Sequence, residues 1–115
     1  MNILYGISNC DTVRQARQWL DEREIPYEFH DVRQQGVNPV QLRAWVADVG
    51  WETLVNKRGK TWRQLPEQAR ENMNESLALV VIEEKPTLLK RPVLETAKQL
   101  VVGFDSDNYR KIFQH

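Results

Sequence analysis

The chain of 115 residues contains one cysteine, Cys10, which stands directly before a segment with helical periodicity. A sulfur at the start of a helix lies beside the unpaired N–H groups of the first turn and near the positive end of the helix dipole. This environment favours the thiolate, which is the nucleophilic form of the side chain. The carboxylate of Asp11 acts in the opposite direction, because one negative charge disfavours another nearby. The alternative interpretation is that Cys10 is a small buried hydrophobic residue.

Three cationic side chains could act with such a thiolate. Arg91 precedes Pro92 in the segment KRPVL, and a guanidinium stabilises a thiolate or holds a carboxylate through two hydrogen bonds. Lys57 and Arg58 form a compact basic loop that ends at Gly59, which could contact an anion. A solvated surface is the alternative for all three of these charges.

The composition excludes several classes of protein. One cysteine cannot form an intramolecular disulfide, and one cysteine with two histidines cannot complete a tetrahedral zinc site. Sixteen basic and sixteen acidic residues give no net charge, which disfavours a generally basic, nucleic-acid-binding surface. No segment approaches the roughly 20 apolar residues of a membrane-spanning helix, and the N-terminus lacks a signal-peptide pattern. We therefore expect a cytoplasmic monomer without membrane or nucleic-acid partners. His30 and His115 have no sequence neighbours that suggest catalysis.

The periodicity of the first half predicts alternating strands and helices. A strand is expected at residues 3–7, a helix from Asp11 to about Arg23, and a second strand at 25–32. A helix then begins at Pro39, capped by Asn38, and ends at Gly50. This order favours a parallel strand pair joined by a right-handed crossover.

The second half predicts a different arrangement. Two short helices are expected, one near 62–72 and one near 74–84 with Leu77, Val80 and Val81 facing inward. The stretches LLKRPVLE and QLVVGF are typical of an antiparallel hairpin, and a last helix opens at Asp105 or Ser106.

Three motifs in this order, NCDTVRQA, NKRGKTWRQL and KRPVL, resemble the ArsC/Spx group of thioredoxin-like proteins, and most closely its YffB branch. The resemblance runs nearly from end to end. It implies an α/β thioredoxin-like fold of the glutaredoxin type, with a mixed four-stranded sheet flanked by helices. It also implies a single domain over residues 1–115, in which residues 1–35 and 86–115 form the core and a helical insertion occupies about 36–85.

The resemblance carries specific roles onto this chain. Cys10 matches the redox or nucleophilic cysteine, Arg91 the arginine before the family's proline, and Pro92 a cis-proline that faces the cysteine. A cis turn leaves backbone groups free to hold an extended peptide such as glutathione. The expected catalytic residues are therefore Cys10 and Arg91. The expected contacts for substrate or glutathione are Asn9, Asp11, Thr12, Lys57, Arg58 and Pro92; Asn9 either orients the sulfur or caps the helix.

The sequence differs at two sites from members of this group, which disfavours arsenate reduction and an internal disulfide switch. Its glutaredoxin-coupled arsenate reductases carry a histidine where this chain has Gly6, and two of their three arginines fall near Asn56 and Phe104. Spx-type regulators, which bind RNA polymerase, often carry a Cys-x-x-Cys pair. This chain has Val13 in place of the second cysteine. An outside thiol must then resolve a mixed disulfide at Cys10.

We therefore expect a glutathione-dependent monothiol reductase. Glutathione would be its co-substrate, glutaredoxin could be a further partner, and no bound cofactor or metal ion is expected. The alternatives are an Spx-like regulatory protein that binds RNA polymerase and a weak arsenate reductase.

Overall fold

A computed structural model describes residues 1–114, and His115 therefore lies outside the described residues. These residues divide into two units. The first consists of Met1–Asp31 and the described residues from Arg91 onward, and the second is Val32–Lys90. The expectation of a single domain with an insertion at about 36–85 stays a prediction.

The described residues contain four strands, eight α-helices and one short 3-10 helix. In chain order they are β1 (Ile3–Gly6), α1 (Asp11–Glu22), β2 (Glu28–Asp31), α2 (Val32–Gln35), α3 (Pro39–Val49), α4 (Trp51–Leu54), α5 (Lys60–Gln64), α6 (Glu67–Glu71), α7 (Glu75–Glu84), the 3-10 helix (Pro86–Leu88), β3 (Val93–Glu95), β4 (Leu100–Val102) and α8 (Ser106–Phe113).

The first unit is built on a mixed four-stranded sheet in the order β2-β1-β3-β4. Strands β1 and β2 are parallel, and β3 is antiparallel to both β1 and β4. The predicted mixed sheet, its parallel first pair and its hairpin are therefore confirmed. The hairpin is shorter than LLKRPVLE suggests, because Leu88 ends the 3-10 helix and regular pairing starts only at Val93.

Helices α1 and α8 contribute to one core with the sheet. The inward stripe predicted for α1, which consists of Val13, Ala16, Trp19 and Leu20, is buried. Three of these residues share a cluster with strand and α8 side chains; its members are Leu4, Ala16, Trp19, Leu20, Leu94, Val101 and Tyr109. Burying large apolar side chains of this kind stabilises the fold by about 1.5–3 kcal/mol each.

Tyr109 packs inside this core with edge-to-face contacts, at ring-centroid distances of 5.6 Å to Trp19 and 4.8 Å to Phe104. Its hydroxyl is buried without a hydrogen-bond partner among residues 1–114. Burial raises the pKa of Tyr109 above its ordinary value of 10.0, because the charged phenolate would lose its hydration. A buried polar group without a partner carries a desolvation cost that no contact offsets.

Replacing Tyr109 with Phe is therefore expected to raise the free energy of unfolding by about 1 kcal/mol, as measured by urea denaturation at neutral pH. A tyrosine whose pKa is raised on folding contributes stability below its unfolded pKa and loses it as the pH rises beyond that value. The Tyr109→Phe protein should therefore lose less stability than the wild type above a pH of about 10.

Tyr27→Phe is the matched control, because the Tyr27 hydroxyl accepts a hydrogen bond from Arg17 Nε at 3.2 Å. That variant should gain no stability. A Tyr109→Phe protein less stable than the wild type would contradict the assignment of an unsatisfied hydroxyl.

The second unit is helical, and its two main helices begin as the sequence predicts. Asn38 caps α3 by accepting hydrogen bonds from the N–H groups of Val40 and Gln41, and Asn74 caps α7 through the N–H of Leu77. The helices α3, α4 and α7 contact one another, and Ala78, Val81 and Ile82 give α7 its buried positions.

Two predictions for this unit are wrong, and two short helices were not predicted. The single helix at 62–72 is two helices, α5 and α6, because Pro66 forces the preceding Leu65 into an extended conformation. Val80, predicted to face inward, is 51% exposed. The sequence pattern predicts no helix at the positions of α2 and α4, since four residues are too few for helical periodicity to stand out.

In the part of the chain that the structure describes, every helix is too short or too polar to cross a bilayer.

Candidate active site

Cys10, and not Asn9, occupies the N-cap position of α1. Its backbone is extended, its N–H donates to the carbonyl oxygen of Ile7 at 3.3 Å, and its own carbonyl accepts from the N–H of Arg14 at 2.9 Å. The side chain is half-buried and takes no part in capping the helix by a hydrogen bond. Cys10 is thus a partly exposed residue at the start of a 12-residue helix, whose dipole favours a negative charge there.

The carboxylate beside this cysteine has a partner that the sequence interpretation missed. Asp11 forms an ion pair with Arg14, one helical turn later, and the two side chains are 83% and 57% exposed. The guanidinium therefore offsets part of the negative charge that opposes a thiolate at Cys10. The sequence does contain a signal for this ion pair, because an acidic residue and an arginine three positions apart on one helix can contact each other.

Removing Arg14 and removing Asp11 should change the reactivity of Cys10 in opposite directions. At low ionic strength we expect Arg14→Gln to slow alkylation of Cys10 by iodoacetamide about two- to threefold, and Asp11→Asn to accelerate it by a similar factor. The double variant should behave as Asp11→Asn, since Arg14 acts through the carboxylate. The chain has one cysteine, so the alkylation rate reports this site alone.

Arg110→Gln provides the control, because Arg110 forms an ion pair of the same spacing with Asp107 on α8. Its alkylation rate should equal that of the wild type. An Arg14→Gln rate that does not change at any salt concentration would contradict the role given to this pair.

The peptide bond between Arg91 and Pro92 is cis, as the resemblance implied. Pro92 is buried, and its carbonyl oxygen accepts a hydrogen bond from the N–H of Gly103 at 2.8 Å, just beyond β4. Arg91 is half-buried. This hydrogen bond holds Pro92, the residue before β3, beside the end of β4.

The register of the sheet relates this segment to Cys10. Tyr5 near the end of β1 pairs with Val93 at the start of β3, and the two strands are antiparallel. The loop that leads from β1 to Cys10 and the Arg91–Pro92 segment therefore lie at the same end of the sheet. The expected catalytic pair, Cys10 and Arg91, shares one unit of the structure.

The residues expected to contact glutathione fall into two groups. Asn9, Asp11, Thr12 and Pro92 belong to the same unit as Cys10; Asn9 and Asp11 are exposed and Thr12 is half-buried. Lys57 and Arg58 are exposed residues of the second unit. Their expected contact with glutathione stays a prediction.

Gly6 allows α1 to pack closely against the end of β1. A Cβ atom placed at Gly6 would lie 2.7 and 2.9 Å from the two Cγ atoms of Val13. Real side chains do not approach this closely, so α1 packs on the end of β1 through a contact that only glycine permits there. The short distance between strand and helix thus depends on the absence of a side chain at residue 6.

Comparison with known proteins agrees with this architecture. The model of the ArsC family matches residues 5–112. The chain belongs to the ArsC family. A solved structure of a YffB protein is 40% identical and superposes with a TM-score of 0.92, over 96% of this chain and 97% of that one.

Two further relatives are named for different functions. An arsenate reductase (ArsC) related protein from Brucella melitensis is 39% identical, with a TM-score of 0.79 over 99% of this chain and 95% of that one. The global transcriptional regulator Spx from Enterococcus faecalis is 33% identical over 96% of this chain and 85% of its own length. This chain is therefore similar both to a protein named for arsenate reduction and to one named for transcriptional control.

Proposed function

We propose that this ArsC-family protein is a glutathione-dependent monothiol reductase. The observation that carries the proposal is the position of Cys10, half-buried at the N-cap of α1, at the end of the sheet where the cis Arg91–Pro92 segment lies. Helix N-termini favour thiolates, and thiolates are the species that attack disulfides.

The proposed reaction has two exchange steps. The Cys10 thiolate attacks the glutathione sulfur of a glutathionylated substrate, so the substrate sulfur leaves as a thiolate and takes up a proton. A second glutathione, as its thiolate, then attacks the glutathione sulfur bound to Cys10. This step releases glutathione disulfide and regenerates the Cys10 thiolate. In the net reaction one reduced glutathione is consumed, the substrate thiol is released, and the glutathione disulfide consists of that glutathione and the one first bound to the substrate.

The other residues are proposed to hold charge and peptide. Arg91 stabilises the thiolate or holds a carboxylate of glutathione with its planar guanidinium. Pro92 and the adjacent backbone dock the extended glutathione chain, while Asn9 and Thr12 contact it from the other side of the sulfur. Val13 occupies the position of a resolving cysteine and is fully buried, so the second thiol comes from solution.

The direct test is an assay with a glutathionylated peptide as substrate and reduced glutathione as the sole reductant. We expect catalysed release of the peptide thiol, with glutathione disulfide formed in equal amount. Equal turnover with any other small thiol at the same thiolate concentration would contradict glutathione dependence.

The similarity to Spx supports a second candidate, a regulatory protein that binds RNA polymerase through its surface. The two candidates differ in what they require of Cys10. Capture of RNA polymerase subunits by the protein should survive a Cys10→Ser change if this alternative is correct, whereas the reductase activity should not.

A further inference from the structure

The second unit carries a concentrated positive charge that takes no part in the two exchange steps proposed at Cys10. Residues 57–63, named here the basic turn, contain the side chains of Lys57, Arg58, Lys60 and Arg63, all of them exposed. The next acidic residues along the chain are Glu52 before the turn and Glu67 after it. Because the whole chain has no net charge, this positive charge is local.

Across residues 1–114, no carboxylate forms an ion pair with these four cations. The first unit differs, since Arg14, Arg23 and Arg110 each lie within ion-pair distance of an acidic side chain. Neighbouring like charges repel each other in the free protein, and a ligand of opposite charge relieves that repulsion. The basic turn therefore favours an anionic partner.

The backbone of the basic turn is held in place. Asn56 Oδ1 accepts from the N–H of Arg58 at 3.1 Å, and Arg63 Nη1 donates to the carbonyl oxygen of Arg58 at 2.7 Å. The hydroxyls of Thr61 and Thr87 hydrogen-bond at 2.6 Å, which joins α5 to the 3-10 helix. A partner would meet cations on an ordered support and would not need to order a loop.

Two aromatic rings also restrict the most N-terminal of these cations. The ammonium nitrogen of Lys57 lies 5.5 Å from the ring centroid of Trp51 and 5.8 Å from that of Trp62. Cation–π attraction to both rings limits the conformations of a long side chain. Less side-chain entropy is then lost when Lys57 binds an anion.

The extent of the basic turn decides which kind of anion fits. A nucleic acid binds through a row of phosphates that continues in both directions. Along the chain, the first charged residue on either side of the four cations is a carboxylate, Glu52 on one side and Glu67 on the other. A protein segment with a few aspartates or glutamates matches a short positive patch, because its negative charge can end where the cations end.

We propose that the basic turn is a docking surface for an acidic segment of a partner protein. The surface belongs to the second unit and does not depend on the reactivity of Cys10. It therefore goes beyond the proposed reductase function, and either can fail without the other.

The test measures binding of a fluorescently labelled oligoglutamate peptide to the full chain carrying Cys10→Ser, by anisotropy at low ionic strength. Lys57→Glu with Lys60→Glu should weaken binding at least about tenfold. Lys98→Glu with Lys111→Glu makes the same change in net charge at two exposed lysines of the first unit, and should weaken binding less than about twofold. Arg58→Gln, which only neutralises an exposed side chain, should weaken binding about threefold and guards against misfolding of the double variant.

Three results would overturn the proposal. Equal loss of binding in both charge-reversed pairs would show that net charge alone attracts the peptide. Tighter binding of a single-stranded oligonucleotide with the same number of charges would identify a nucleic-acid surface. Displacement of the peptide by reduced glutathione at equal carboxylate concentration would identify a site for a small ligand. Because Cys10→Ser removes the nucleophile, none of these results depends on reductase activity.

Discussion

Cys10→Ser is expected to lower the glutathione-dependent reduction of a glutathionylated peptide at least about a thousandfold, to the uncatalysed rate. The hydroxyl of serine is far less acidic than a thiol and does not attack disulfide sulfur, so neither exchange step occurs. Cys10 is also the only sulfur of the chain that could form a mixed disulfide, since the two remaining sulfur atoms are thioethers of methionine. The fold should be unaffected, because the half-buried Cys10 side chain makes no capping hydrogen bond.

A double variant separates the position of the thiol from its mere presence. Cys10→Ser with Ser8→Cys keeps one thiol in the same loop but moves it from the N-cap to an exposed residue before the helix. Without the first-turn N–H groups beside it, that thiol should be protonated at neutral pH and should not restore turnover. Full activity of this variant, or of Cys10→Ser alone, would rule out the mechanism proposed for the helix N-terminus.

The first unit was largely predictable because its signals are local. The apolar spacing of α1, the short strand before Cys10 and the hairpin after Pro92 are each visible within a few residues. The confirmed cis bond at Pro92 came from the family resemblance, since a sequence alone allows both isomers at any X–Pro bond. The Asp11–Arg14 pair is visible as a spacing, although the sequence interpretation does not include it.

Long-range packing accounts for what the sequence left open. Val80 fits the inward stripe of α7, yet its neighbours in space leave it half-exposed. Gly6 of β1 approaches Val13 of α1 closely. Periodicity predicts each element separately, so it does not show that glycine is needed where the two meet. Pro66 indicates that a helix ends before it, because proline disfavours a helical conformation at the preceding Leu65. The prediction of an uninterrupted helix over 62–72 overlooks this.

The contact between Gly6 and Val13 connects two departures from the ArsC/Spx group. By the resemblance, a histidine of the glutaredoxin-coupled arsenate reductases is expected at residue 6, and the second thiol of a Cys-x-x-Cys pair at residue 13. In this structure the fully buried Val13 fills the space that a side chain at residue 6 would need. Adding a histidine at residue 6 is therefore expected to disrupt the junction of β1 and α1 rather than create arsenate reductase activity.

Gly6→Ala tests this contact with the smallest possible side chain, and is expected to lower the free energy of unfolding by about 1–3 kcal/mol. The added methyl meets a β-branched residue on a helix, so relief requires moving α1 away from the sheet. Ser8→Ala, in the exposed part of the same loop, should change the free energy of unfolding by less than about 0.5 kcal/mol in urea denaturation.

A double-mutant cycle with Val13→Ala then isolates the contact from other effects of the substitution. Val13→Ala alone should destabilise the protein, because it leaves a cavity beside Gly6. That cavity accepts the methyl group which Gly6→Ala introduces, so Gly6→Ala should cost less in the Val13→Ala protein than in the wild type, with a coupling energy of about 1 kcal/mol or more. Additive losses would mean that the two residues do not compete for space. The glycine would then be needed for its backbone alone, and the packing explanation for the missing histidine would be wrong.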